Sequence, residues 1–217
     1  MEYSRDTNLG LQVHEHLVKC GVETPFEQKE INTGKIKTLF TAIMEELGMD
    51  LSDDSLVETP HRLAKMYSHA ELFSGLNYQN FPKSTVVENK MGYHDMLIER
   101  NIKISSLCEH HWASISGFAH IAYIPKDRVV GLSKLNRVAN FFARRPQIQE
   151  RLTAQIMHTL QFLLGTDDVA VVIVADHHCV KMRGVEDACS DTVSSAIGGA
   201  FRQQEVRAEF LQLALAK

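Results

Sequence analysis

Two short stretches gather the side chains best suited to metal chemistry: Cys108-Glu109-His110-His111, and His177-His178-Cys179 far along the chain. Cys108 and His111 make a Cys-x-x-His pair, and Cys179 supplies a second sulfur. Two thiolates and an imidazole suit zinc. A structural zinc normally takes four protein ligands, whereas three leave a coordination position for water, whose pKa the metal lowers to about 7. The same residues also fit a plainer description, with the cysteines as small buried apolar groups and the histidine pair as surface.

If Cys108, His111 and Cys179 take the ion, His110 and His177 stand beside it as candidates for proton transfer, and His110 equally fits a supporting hydrogen bond. A strand through residues 177–179 would project His177 and Cys179 to one face and His178 to the other. A register shifted by one residue would bring His178 into competition for the metal. Cys20, Cys189, His14, His16, His61, His69, His94, His120 and His158 lack such neighbours and read as ordinary residues.

A basic group accompanies these clusters: Lys134, Arg137 and Arg183, with Arg62 and Lys65 upstream. Together they fit a triphosphate held through charge-assisted, partly bidentate contacts; singly, each fits a solvated charge. The sequence has no Walker loop and no GxGxxG fingerprint, so a nucleotide would not be held by those devices.

The elements that must position these residues follow from periodicity. Ile36, Leu39, Phe40, Ile43, Met44 and Leu47 recur at helical spacing, with Thr33 as the expected cap and Gly48 as the stop. Thr59-Pro60 opens a second helix, expected to run to about Gly75, whose first turns hold Arg62 and Lys65. Cations there, beside free backbone N–H groups, read either as an anion site or as two solvated charges. Leu11 to Lys19 fits one short helix.

From Met96 to Ile124 the period changes to two, through Ile102 and Ile104 and then Ala113, Ile115, Ala119, Ile121 and Tyr123. This predicts two strands with the first metal cluster at their connection. Ser133 is the expected cap of a helix through Leu135, Val138, Phe141 and Phe142, and a second helix runs through Leu152, Ile156, Leu160 and Leu163 to Gly165. Val169 to Ala175 reads as a buried strand, Val180 to Val185 as the start of its partner, and about Gln204 to Ala216 as a closing helix. The order implies one α+β unit, with a helical extension over residues 1–80 and a catalytic domain over residues 81–217.

The 217 residues are 44% apolar, with a formal net charge of −4. That balance argues against nonspecific nucleic-acid binding. No stretch reads as a signal peptide or a membrane span, and four scattered cysteines do not make a disulfide framework, so a reduced, cytoplasmic setting is expected.

Five motifs in order, LCEHH (107–111), AYIPK (122–126), GLSKLNR (131–137), RPQIQERLT (145–153) and HHCVKMRG (177–184), resemble those of type I GTP cyclohydrolases, over roughly Lys35 to Leu211. The resemblance implies a tunnelling fold, an α+β arrangement of strand-strand-helix-helix-strand-strand units assembled into toroidal decamers with active sites between subunits. It implies zinc on Cys108, His111 and Cys179, acid–base roles for His110 and His177, and recognition of the guanine edge by Gln149 and Glu150. The triphosphate would be held by Ser133, Lys134, Arg137 and Arg183, with Arg62 and Lys65 from a neighbouring chain.

The implied reaction is hydrolysis of GTP at carbon 8, release of formate and reclosure to 7,8-dihydroneopterin triphosphate, an entry to tetrahydrofolate and other pterins. Trp112 and His178 depart from the family's pattern. The competing expectations are a nitrile reductase of the same fold, with a cysteine nucleophile and a nicotinamide cofactor, and a zinc-stabilised scaffold without activity.

Overall fold

Alternation along the strands sorts their side chains onto two faces. Val169, Val171, Ile173 and Ala175 join Ile102, Ile104, Ile115 and Ile121 in the main core, whereas Ala122, Ala170 and Val172 face a smaller cluster with Phe201 and Phe210. A computed structural model describes residues 3–27, 29–68 and 71–216. In chain order the elements are α1 (Thr7–Lys19), α2 (Thr33–Glu46), α3 (Thr59–Met66), β1 (Val86–Glu88), β2 (Leu97–Cys108), β3 (Ser114–Tyr123), β4 (Arg128–Val130), α4 (Leu132–Ala143), β5 (Pro146–Gln147), α5 (Gln149–Leu164), β6 (Val169–His177), α6 (His178–Lys181), β7 (Thr192–Ile197) and α7 (Gln204–Leu215).

The principal sheet has the order β5-β2-β3-β6-β7, antiparallel except for the β2–β5 pair, and β1 and β4 form a small separate ribbon. The expected strand-strand-helix-helix-strand-strand order is therefore present as β2, β3, α4, α5, β6 and β7. Helices α4 and α5 cover one face with buried Leu135, Val138, Phe142, Leu152, Ile156 and Leu160, and α7 covers part of the other. Gly165 ends α5 in the left-handed region at φ 66°, where a residue without a Cβ meets no steric cost. The N-terminal helix α1 buries Val13 and Leu17 in the main core.

Several sequence expectations are corrected. Asn32, not Thr33, caps α2, its side chain accepting from the Lys35 N–H at 2.9 Å. Helix α3 ends at Met66 rather than near Gly75: Tyr67 leaves the helical conformation as its C-cap, and the Ser68 hydroxyl donates to the Lys65 carbonyl at 2.6 Å in competition with a helical backbone bond. Ser133 does not cap α4: Gly131 does, leaving β4 in an extended conformation so that its carbonyl accepts from Lys134 N at 2.8 Å. Val180 to Val185 is not a strand. The chain turns helically at His178, and the partner of β6 is β7, whose pairing runs from Ala170–Ile197 to Ala175–Thr192. His69 lies outside the described residues.

Candidate active site and metal centre

The β2–β3 connection is fixed by its own backbone. Cys108 N donates to the Ala113 carbonyl at 2.8 Å, Trp112 N to the Cys108 carbonyl at 2.9 Å, and Glu109 N to the Gln147 carbonyl of β5 at 3.0 Å. Trp112 sits at φ 51°, a left-handed conformation that costs a side-chain-bearing residue about 1–2 kcal/mol. Its ring offsets that cost by packing on Tyr67 and Phe73, with centroids 5.2 and 5.4 Å away. Arg151, in the first turn of α5, forms an ion pair with Glu109 and ties the loop to the helix.

Cys108 is buried at the end of β2, and its Sγ lies 3.8 Å from His110 Nδ1 and 3.9 Å from His111 Nδ1. The second arm comes from the end of β6, where the helical turn α6 carries Cys179 back to the first. The ligand atoms of Cys108, His111 and Cys179 all lie within 4.8 Å of one another. His177 and Cys179 therefore do not share a strand face, since the strand ends between them. Among the described residues His178 does not join this group.

Burial, then the hydrogen bond and charge of Cys108, push the Cys179 thiol above its ordinary pKa. Two thiols held together with an imidazole are an uncomfortable set for protons and a suitable one for a borderline-soft divalent cation.

His177, the last residue of β6, reaches the start of α5. Its Nε2 lies 2.7 Å from Gln149 Oε1, and the Gln149 amide nitrogen donates to the carbonyls of Ile173 and Thr192 at 3.1 and 2.9 Å. Those two bonds fix which way the amide points, so Nε2 of His177 must be the donor and Nδ1 keeps the lone pair. Burial lowers the pKa of this imidazole, against the upward pull of the Glu150 and Asp176 carboxylates. Gln149 is 1% exposed with its side chain fully engaged, whereas Glu150 is exposed in the same helical turn. His110 is exposed, its Nε2 3.8 Å from Glu109.

Arg183 reaches His111, with Nη1 2.8 Å from Nε2. The other basic residues are dispersed. Lys134, Arg137 and Ser133 lie in the first turns of α4, which starts just after Val130, at the end of the sheet where Leu97 pairs with Tyr123. The metal-type cluster lies at the opposite end, where Leu107 pairs with Ser114. Ten residues of strand separate the two ends, roughly 30 Å. One chain thus does not bring these three residues to Cys108.

Arg62 and Lys65 are exposed on α3, and Lys65 lies 3.8 Å from Glu71 in a solvated pair. Tyr67, just beyond that helix, packs at a tilt against Trp112, so α3 lies beside the loop of its own chain.

Sequence reasoning missed a second cluster. His16, Cys20 and His158, all read as ordinary, bring their ligand atoms within 4.8 Å of one another. The signal available was the four-residue spacing of His16 and Cys20 on one helix face; the third member, on α5, has no sequence neighbour to betray it. Among the described residues no helix is long and apolar enough to cross a membrane.

Residues 36–215 match the family model described as GTP cyclohydrolase I. A GTP cyclohydrolase 1 of Aeromonas salmonicida (strain A449) is 56% identical over 196 residues, covering 88% of this chain and 89% of that protein. One of Citrobacter koseri (strain ATCC BAA-895 / CDC 4225-83 / SGSC4696) is 55% identical over 207 residues, covering 92% of this chain and 93% of its own length. With a family match across most of its length and relatives matched nearly end to end, the chain belongs to the GTP cyclohydrolase I family.

Proposed function

We propose that this chain is a zinc-dependent enzyme that opens the purine ring of GTP at carbon 8, releases formate, and recloses the product to 7,8-dihydroneopterin triphosphate. The observation that carries this reading is the meeting of Cys108, His111 and Cys179 within 4.8 Å, beside a His177 whose tautomer is set by Gln149. Zinc on those three ligands would supply Lewis-acid activation of water at neutral pH.

The remaining work falls to the chain's own groups. His177, holding its Nε2 proton toward Gln149, offers Nδ1 as a base that can accept a proton and later return it. His110, exposed on the facing loop, is the second proton carrier, suited to the purine nitrogen beside the attacked carbon. Glu150 accepts the two N–H groups on the guanine edge. Because the Gln149 side chain is spent on Ile173, Thr192 and His177, its part is to hold His177 and to offer guanine only its backbone N–H at the helix start.

Arg183 has two states in this account. Ligation through either ring nitrogen of His111 leaves Nε2 without a free lone pair, and Arg183 is a pure donor, so the contact at 2.8 Å and metal ligation exclude each other. With His111 holding a cation, this guanidinium would be free to meet a phosphate. Ser133, Lys134 and Arg137 would come to the same triphosphate from another chain, since their own chain holds them at the far end of the sheet. That separation supports a homo-oligomer with sites between subunits, for which the toroidal decamer is our proposal, with Arg62 and Lys65 adding cations from α3. Residues 81–217 carry the chemistry, residues 1–80 form a helical extension, and the setting is cytoplasmic.

Purified protein incubated with GTP tests this reading. We expect stoichiometric formate, a pterin that fluoresces after oxidation, and loss of both on chelation with much of the fold kept. Unfolding on chelation without prior turnover would instead favour the zinc-stabilised scaffold.

A further inference from the structure

His16 and Cys20 stand one helical turn apart at the end of α1, where the Cys20 backbone N–H bonds to the His16 carbonyl at 3.0 Å, so the turn presenting both is closed. His16 Nε2 lies 3.6 Å from Cys20 Sγ. A tetrahedral zinc with ordinary Zn–S and Zn–N bonds sets its sulfur and nitrogen ligands about 3.6 Å apart, so two of the donors already stand at ligand spacing. The third, His158, projects from α5, with all three ligand atoms within 4.8 Å of one another.

The two helices are held in register independently of these side chains. Val13 and Leu17 are buried in the core, and the Gln155 side chain of α5 donates to the Val22 carbonyl at 2.9 Å and to the Thr24 hydroxyl oxygen at 3.2 Å, just beyond α1. The cluster is thus presented by a scaffold rather than by chance rotamers on a loose tail.

The donors open into a cavity of about 460 Å³ that Lys126, Gln161 and Asp167 also line. There is room for water to complete a coordination shell, and Lys126 is engaged by Asp168 at 3.1 Å, which tempers its repulsion of a cation.

We propose that His16, Cys20 and His158 form a second transition-metal site, separate from the Cys108 centre, that takes one zinc-class divalent cation and clamps α1 onto α5. Two imidazoles and a thiolate select a borderline ion over Mg²⁺ or Ca²⁺. On binding, the Cys20 thiol gives its proton to solvent and both imidazoles bind as neutral ligands.

The test is metal content per folded chain after equilibration with Zn²⁺ and desalting, for wild type, Cys20→Ser and His158→Gln, with Co²⁺ substitution reporting thiolate ligation in the visible and near-ultraviolet spectrum. Cys20 is exposed, so its replacement leaves the core intact, and circular dichroism checks that both variants fold. We expect each variant to hold one equivalent fewer than wild type at unchanged GTP turnover, and Zn²⁺ to raise the Tm of wild type more than that of either variant. Cys179→Ser should retain the equivalent that these variants lose, which keeps this result separate from the fate of the Cys108 centre. Equal metal content in wild type, Cys20→Ser and His158→Gln overturns the second site.

Discussion

The chain builds a three-donor cluster of cysteine and histidine twice, by different means. At Cys108, His111 and Cys179 the donors sit at the ends of two strands and a helical turn, with His177, Gln149, Glu150 and Arg183 grouped around them. At His16, Cys20 and His158 they sit on two helices packed side by side, over a cavity that Lys126, Gln161 and Asp167 also line. In our proposal, closely related donor sets serve a reaction in one place and a clamp in the other. What separates them is the company each keeps: an imidazole of fixed tautomer and an exposed carboxylate in the first, a core seam in the second.

Substitutions can break or sharpen that contrast. The largest effect belongs to Cys179→Ser, which should lose one metal equivalent and reduce formate release to the floor of the assay; Cys20→Ser, also losing one equivalent, should stay within about twofold of wild-type turnover, as befits an exposed residue outside the proposed GTP site. If the two variants are equally impaired, the division of labour is wrong.

Next is His177→Ala, expected to keep the metal while formate release falls about 10²- to 10⁴-fold, the usual worth of a positioned acid–base group. Wild-type turnover in that variant would remove His177 from the mechanism. Glu150→Ala should then narrow discrimination of GTP over ATP by roughly tenfold or more in kcat/KM, the size expected for charge-assisted hydrogen bonds; an unchanged ratio assigns guanine recognition elsewhere.

The smallest effect is that of Gln149→Ala, which strands two carbonyls and frees the His177 ring. We expect a stability loss of about 1–3 kcal/mol by denaturant titration, and a fall in kcat larger than the change in KM. A change confined to KM would mean that the Gln149 side chain meets the substrate directly.

Much of the scaffold was legible from the chain itself because it depends on local periodicity. Strands at 97–108, 114–123 and 169–177 and helices over 132–143 and 149–164 follow from alternation and helical spacing, and the close Cys-x-x-His spacing flagged the first cluster. Where reasoning failed, a nonlocal or competing interaction decided. The Ser68 hydroxyl competes for a carbonyl at the end of α3, and the turn at His178 moved Cys179 off the strand on which its neighbour His177 ends.

The engaged state of Gln149 could not be read either. It depends on the Ile173 and Thr192 carbonyls of two strands, brought over the helix start only by the fold. For the same reason the His16–Cys20–His158 cluster was invisible: the α1–α5 contact that creates it joins opposite parts of the chain.

The most direct test of the central claim is an anomalous difference map collected at the zinc edge from crystals of the zinc-loaded protein. The account predicts a peak about 2.3 Å from the sulfurs of Cys108 and Cys179 and about 2.0–2.1 Å from a ring nitrogen of His111, with no fourth side chain on it and Arg183 withdrawn from that ring. A peak sealed by a fourth protein ligand, or none at those three residues, would contradict it.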